Sequence, residues 1–580
     1  MSFYDDASLV VIPSAQKTSK LYAVKPTDGS GDLTFTRTGD TATRVNSAGL
    51  IERVRTNLLT YSNTFSNAAW LNDDSTETSG QAGYDGTTNA WLLSKTAANG
   101  RISEVLTVSG SATFSIYAKA GTDSWLFLAS SDAGVNAYFN LGTGAVGTTG
   151  GSTTAAITSV GNGWYRCSIS GNASFTFFNI WVADANNDTS GASGNILIQS
   201  AQVETGDIAT PYIPTTTAAV SVGPVANVPR LDYLGSTCPR LLLEPQRTNS
   251  QTFSEQHNNA AWSKLNLSVT ANAGTSPDGY SNADLVYPNT GVVNVQNYNS
   301  QTRTGLTIGA SYTQSVFLKA SGFTWAIVDN ANGSSGAWFN LVTGTIGTVV
   351  AGSTAKIENY GNGWYRCSVT SAPSGTTGYG DYRLANADNN DNVTANGTNG
   401  ILAWGFQFEA GAYATSYIPT LAATATRGED ACSKTGISSL IGQTEGTLFV
   451  DFQFNGYDNL QKWIAFLYGS ANLYIGFYTN ASSIIQAEVY NTGIQFLSST
   501  FVFAVGQRYK LALAYKANDF AFYVNGAQIA TDNSGTVPAT SEINLQYTTA
   551  ANALTARTYN QALLFKTRLT NAELAQLTAL

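Results

Sequence analysis

Four residue types that binding and catalytic sites use stand together in GNGWYRCSIS at 161–170, and again in GNGWYRCSVT at 361–370. Trp164 and Trp364 are candidate platforms on which a sugar ring could stack, with Arg166 and Arg366 donating hydrogen bonds to its hydroxyls. Cys167 or Cys367 would serve as a nucleophile only beside an activating base. The chain's one histidine, His257, lies in neither copy, in SEQHNNAAW, where it reads as a surface or loop residue. A single histidine also argues against His-based triads and multi-His metal sites.

A second set of candidates is rich in oxygen. ADANNDTSGASGN (183–195) and NADNNDNVTANGTNG (386–400) occupy equivalent places, and Asp184, Asn186, Asp188, Asp388, Asn390 and Asp391 are hard ligands suited to calcium. No bidentate Glu follows at a calcium-loop spacing, and Asx-rich turns form without metal. Glu204 and Glu409 are equivalent acids, but a glycosidase needs two carboxylates in one cleft and neither has a repeated partner. The residues therefore point away from an enzyme, with no cofactor expected beyond calcium.

The decapeptide must sit at a hairpin. Asn162–Gly163 calls for a tight turn with positive φ, followed at once by a strand. Alternation then places Tyr165, Cys167 and Ile169 on one face and Trp164, Arg166 and Ser168 on the other. Cys and Ile favour burial, so Trp164 and Arg166 take the outer face, where Arg can lie against the ring. The alternative is a strand locked beneath a covering loop, the repeat being scaffold.

The repeat is longer than the decapeptide. RTNLLTYSNTFSNAAW (55–70) matches RTNSQTFSEQHNNAAW (247–262), and QVETGDIATPYIPT (202–215) matches QFEAGAYATSYIPT (407–420). Trp70 with Trp262, and Trp125 with Trp325, recur as core candidates. Short runs of β-formers broken by Gly, Asn, Asp and Ser predict an all-β chain of tandem jelly-roll β-sandwiches. The expected divisions are a distinct N-terminal segment (1–54), a first sandwich (55–215), a connector (216–246), a second sandwich (247–420) and a third sandwich of another kind (421–580). Thr570 and Glu573 form a capping-box pattern for a short closing helix.

Composition narrows the partners. Of the 580 residues 12% are charged and 11% aromatic, which suits a folded chain rather than a disordered one. The net charge is −9 and no Lys/Arg run occurs, so the electrostatic footprint of nucleic-acid binding is missing. No apolar run is long enough for a membrane helix, and the start lacks a secretory pattern.

RTNLLTYSNTFSNAAW, GNGWYRCSIS and QVETGDIATPYIPT together resemble the carbohydrate-binding-module-like domain of many bacteriophage structural proteins. PRLDYLGSTCPRLLLEPQRTN and the N-terminal stretch resemble virion fibre proteins, especially of phages infecting Bacteroidetes, including crAss-like phages. TEGTLFVDF and LALAYKANDFAFYVNGAQIA resemble a laminin-G/concanavalin-A-like sandwich. The resemblance implies a tail fibre, head fibre or spike on the virion surface, made in the host cytoplasm and binding host-surface glycans. It implies attachment to other virion proteins through the N-terminal segment, and a homo-oligomer, a trimer above others. A glycan depolymerase and an architectural protein without ligand are the alternatives.

Overall fold

The computed structural model describes residues 2–108, 110–131, 134–151, 153–172, 175–330, 336–546 and 555–580. It is all-β in three sandwiches, which fall into two compact units, Val54–Gly223 and Met1–Arg53 with Pro224–Leu580.

The first unit is one jelly-roll sandwich of two six-stranded antiparallel sheets. One sheet runs in the order Thr154–Gly161, Trp164–Asn172, Ser111–Ala120, Gly194–Thr205, Ala90–Lys95, Ser75–Gln81. The other runs Ala145–Thr149, Asn136–Asn140, Trp125–Ser130, Phe175–Ala183, Arg101–Val108, Trp70–Asp73. Inward-facing alternates such as Ile116, Leu126, Phe139, Cys167, Ile169 and Ile180 fill the space between. The second sandwich repeats this strand order in the other unit, from Thr354–Asn359 to Leu267–Gly274 and from Thr345–Val349 to Ser263–Leu265. Each copy closes on itself slightly beyond the ends read from sequence. Val220–Val222 pairs with Arg55–Asn57, and Ala425–Arg427 pairs with Arg247–Asn249.

The third sandwich is not built from 421–580 alone. Leu9–Val11 pairs along the edge of Arg557–Phe565, and Arg240–Leu243 of the connector pairs along the same edge. Leu33–Thr36 pairs with Ala431–Lys434 in the opposite, nine-stranded sheet. The segment 1–54 is therefore no separate piece. Leu9, Val11, Leu21, Leu33 and Phe35 are core residues of the C-terminal sandwich, packed with Leu448, Phe477 and Leu564. Leu33–Thr36 alternates buried and exposed, so one apolar face had to find a partner sheet. The closing helix Asn571–Thr578 carries the expected capping box, with Thr570 and Glu573 each accepting from the other's backbone N–H.

Candidate functional site

The repeated decapeptide turns as its sequence requires. Asn162 and Gly163 have φ of +53° and +77°, Asn362 and Gly363 +50° and +79°. Tyr165, Cys167 and Ile169 face the core. The expected open platform is absent, however, because Trp164 and Trp364 are each only 2% exposed. Tyr84 stands edge-on to Trp164, with ring centroids 6.4 Å apart. Trp364 donates from Nε1 to Thr275 O at 3.0 Å and packs with Val45, Ile51, Trp404 and Tyr417. The outer face of this sheet is itself roofed by distant segments.

The arginines are scaffold too. Arg166 donates to Ser115 Oγ at 2.9 Å and to Thr210 O; Arg366 donates to Ser315 Oγ at 2.9 Å and Thr415 O at 2.6 Å. Each lies over a ring, but of Tyr117 or Phe317 rather than of the tryptophan. These are the arginines' direct cross-strand partners, while the tryptophans sit two residues along. Burial pushes the Cys167 and Cys367 thiols well above their ordinary range, against a thiolate.

Glu204 and Glu409 belong to a duplicated polar clasp. Glu204 accepts from Thr210 N (2.7 Å), Thr210 Oγ1 (2.6 Å) and Gln202 Nε2 (2.8 Å); Glu409 does the same with Thr415 and Gln407. Asn57 donates to Ala201 O and Ile213 O and accepts from Val203 N, and Asn249 repeats this with Phe406, Ile418 and Phe408. The RTN, Q-x-E and AT-x-YIPT phrases thus recur because they pin the returning chain to the sheet. Their joint recurrence was the signal for this role.

The six Asx residues do not converge on a cation. Asp184 neutralises the buried Lys95 at 2.5 Å and accepts from Gly191 N. Asn186 and Asp388 each accept from the backbone N–H of Thr148 or Thr348 at 2.7 Å, bracing the neighbouring edge strand. Asp188 and Asn390 cap their own turns through Ser190 and Asn392. Asp391 pairs with Arg383 at 3.1 Å. Among the described residues no three His, Cys, Asp or Glu side chains cluster as a metal site.

His257 is buried, not on the surface. It takes the place of Phe65 of the first copy: Phe65 meets Trp70 at 5.0 Å and His257 meets Trp262 at 4.9 Å. Tyr382 Oη lies 2.9 Å from its Nδ1. Desolvation lowers its pKa to about 3, so it is neutral.

What the structure does bring to an open face is a row of side chains in the first sandwich. Tyr138, Phe127, Trp181, Arg101 and Asp73 are successive cross-strand partners on five adjacent strands. Phe127 stacks on Tyr138 at 4.1 Å, and the Arg101 guanidinium lies 4.3 Å from the Trp181 ring centre and ion-pairs with Asp73. A second row, Asn136, Ala129, Asn179, Ser103 and Leu71, runs beside it. Except for Tyr138, which is buried behind Phe127, the rows line a cleft of about 710 Å³, to which the exposed Phe177 also contributes. Flat rings flanked by amide and hydroxyl side chains are the surface that a sugar's apolar faces and hydroxyls require. The sequence reading missed this row, whose members come one from each strand.

The second sandwich differs at the same positions. Trp181, Phe127 and Tyr138 become Arg383, Ile327 and Trp338, while Asn179 and Ala129 become Asp381 and Asp329. Arg383 is held by Asp329 (2.7 Å), Asp381 (3.0 Å) and Asp391 (3.1 Å). Burial pushes the Asp381 carboxyl up to about 7; Asp329 adds to the rise and Arg383 opposes it. Below about pH 4 this acid is protonated in folded and unfolded chains alike. Between there and neutrality only the unfolded chain releases the proton, so stability falls as pH rises. Asp381→Asn is expected to reduce the stability lost between pH 4.5 and pH 8 by about 3 kcal/mol, read from denaturant unfolding at the two pH values; an unchanged loss would reject the assignment.

No family model matches the chain, and no curated protein matches it. Among solved structures, the CBM40 of the Ruminococcus gnavus IT-sialidase bound to alpha2,3 sialyllactose is 13% identical, with 25% of this chain and 91% of that chain covered and a TM-score of 0.22. The N-terminal CBM22-1–CBM22-2 tandem of Paenibacillus barcinonensis Xyn10C is 12% identical, covering 61% and 97%, at 0.21. Domains LG4-5 of the mouse laminin alpha1 chain are 10% identical, covering 47% and 86%, at 0.16. The strand order, and not these likenesses, assigns the fold.

Proposed function

We propose that this chain is a structural appendage of a virion, a tail fibre, head fibre or spike, whose first sandwich binds host-surface glycan. The observation that carries the glycan reading is the Phe127–Trp181–Arg101–Asp73 row along an open cleft. The cleft's one acid among the described residues, Asp73, is spent on Arg101, which favours binding over hydrolysis. The virion reading rests on the sequence resemblance. Several copies on one particle would raise a weak sugar affinity by avidity, and a homotrimer is the expected assembly. Attachment to other virion proteins through the N-terminus would have to use the residues ahead of Leu9, such as the exposed Tyr4, since the following strands are built into the third sandwich.

A glycan array probed with the intact chain and with Trp181→Ala tests the site. The variant should bind the selected glycan at least about tenfold more weakly, about 1.4 kcal/mol. Equal binding, or no bound glycan at all, rejects it. Electron microscopy of labelled particles tests the location; a protein inside the capsid or absent from it ends the appendage reading.

A further inference from the structure

The second copy departs from the first most sharply at one end of its core. Where the first sandwich holds Leu59, Leu106, Phe114 and Phe178, the equivalent positions of the second hold Gln251, Arg303, Gln314 and Gly380. Four apolar side chains are thus exchanged for two amides, a guanidinium and a hydrogen. Of the four, Arg303 also lines a pocket of about 560 Å³, with Arg247, Ser250, Thr302, Tyr312 and Phe408.

Arg303 is 7% exposed. Its Nη1 donates to Thr302 O at 3.1 Å and to Gln301 Oε1 at 3.4 Å, and its guanidinium lies 5.3 Å from the Phe408 ring centre. Nε and Nη2 have no hydrogen-bond partner, and among the described residues no carboxylate forms an ion pair with it. Burial alone depresses its pKa, to about 10, with no acid opposing the shift. Other buried cations have both ends held, by acids as with Lys95 on Asp184 and Arg230 on Glu244 and Asp430, or by neutral acceptors as with Arg366 on Thr415 O and Ser315 Oγ and Arg557 on Tyr559 Oη and Gln546 Oε1. A buried cation without a counter-charge is strongly unfavourable. Gln251 and Gln314 each leave Oε1 unpartnered near the same end of the core.

We infer that this pocket is an oxyanion-binding site in which Arg303, supported by Arg247 and Ser250, receives a sulfate, phosphate or carboxylate group. The guanidinium fork presents two parallel N–H donors, which match two oxygens of such a group. The oxyanion can arrive as a free ion or as the acidic group of a saccharide. This site is separate from the cleft of the first sandwich, so either can fail without the other.

Isothermal titration calorimetry of the intact chain with inorganic sulfate, glucuronate and glucose tests it. Sulfate is expected to bind at one site per chain and glucose not to bind; glucuronate binding as well identifies an acidic saccharide as the source, and sulfate alone identifies a free ion. Arg303→Leu, which restores the residue type of Leu106, should fold and lose at least about tenfold in affinity. Sulfate should raise the thermal midpoint of the intact chain more than that of the variant, separating site binding from the general effect of the salt. Absence of sulfate and glucuronate binding, or equal binding and equal thermal shifts in the variant, overturns the assignment.

Discussion

Removing residues 2–36 is expected to unfold the third sandwich, although its long strands all lie after Thr420. The deletion takes away Leu9–Val11 from the edge of Arg557–Phe565 and Leu33–Thr36 from beside Ala431–Lys434. With them go five fully buried apolar side chains, Leu9, Val11, Leu21, Leu33 and Phe35. At roughly 2 kcal/mol each the lost burial is on the order of 10 kcal/mol, as large as the whole stability of an ordinary domain. The exposed strand edges add an aggregation hazard. The truncated chain should therefore lose the unfolding transition of this sandwich, and limited proteolysis should cut within 431–565. A truncated chain that keeps the full-length transition would show that these strands are ornaments.

Asp430→Ala should be the most damaging single substitution. Asp430 is fully buried and ion-pairs with Arg37 at 3.2 Å and with Arg230. It also accepts from Glu244 N at 2.9 Å. Glu244 in turn pairs with Arg230 at 2.7 Å and Arg427 at 3.0 Å. Three arginines and two acids thus join the N-terminal segment, the connector and the segment leaving the second sandwich. Alanine leaves Arg37 with no counter-ion and Arg230 with one in place of two, in a medium where each charge needs pairing. Breaking such a buried pair typically costs about 3–5 kcal/mol. Denaturant unfolding of the purified variant checks the figure; a loss below about 1 kcal/mol would mean that water reaches the cluster. Nothing in local sequence announces it, because its members come from 37, 230, 244, 427 and 430.

The sequence by itself determined the duplication, the all-β character, the Asn–Gly hairpins and the inward Tyr165–Cys167–Ile169 face. Each depends on a local rule: alternation with a period of two, positive φ at Asn–Gly, or a capping pair three residues apart.

Tertiary structure decided which faces meet solvent. Alternation separates Trp164 from Cys167 but cannot say that Tyr84 covers the former, or that Val45 and Ile51 help cover Trp364. The aromatic row exists only as a register across five strands between Asp73 and Trp181, and no window of sequence contains it. The same holds for His257, where a polar context in sequence hides a position that is core in the duplicate. The decapeptide was repeated because both sandwiches need the same hairpin, the same buried ring and the same arginine brace. The two copies differ on the surfaces and core ends that the repeat left free to change.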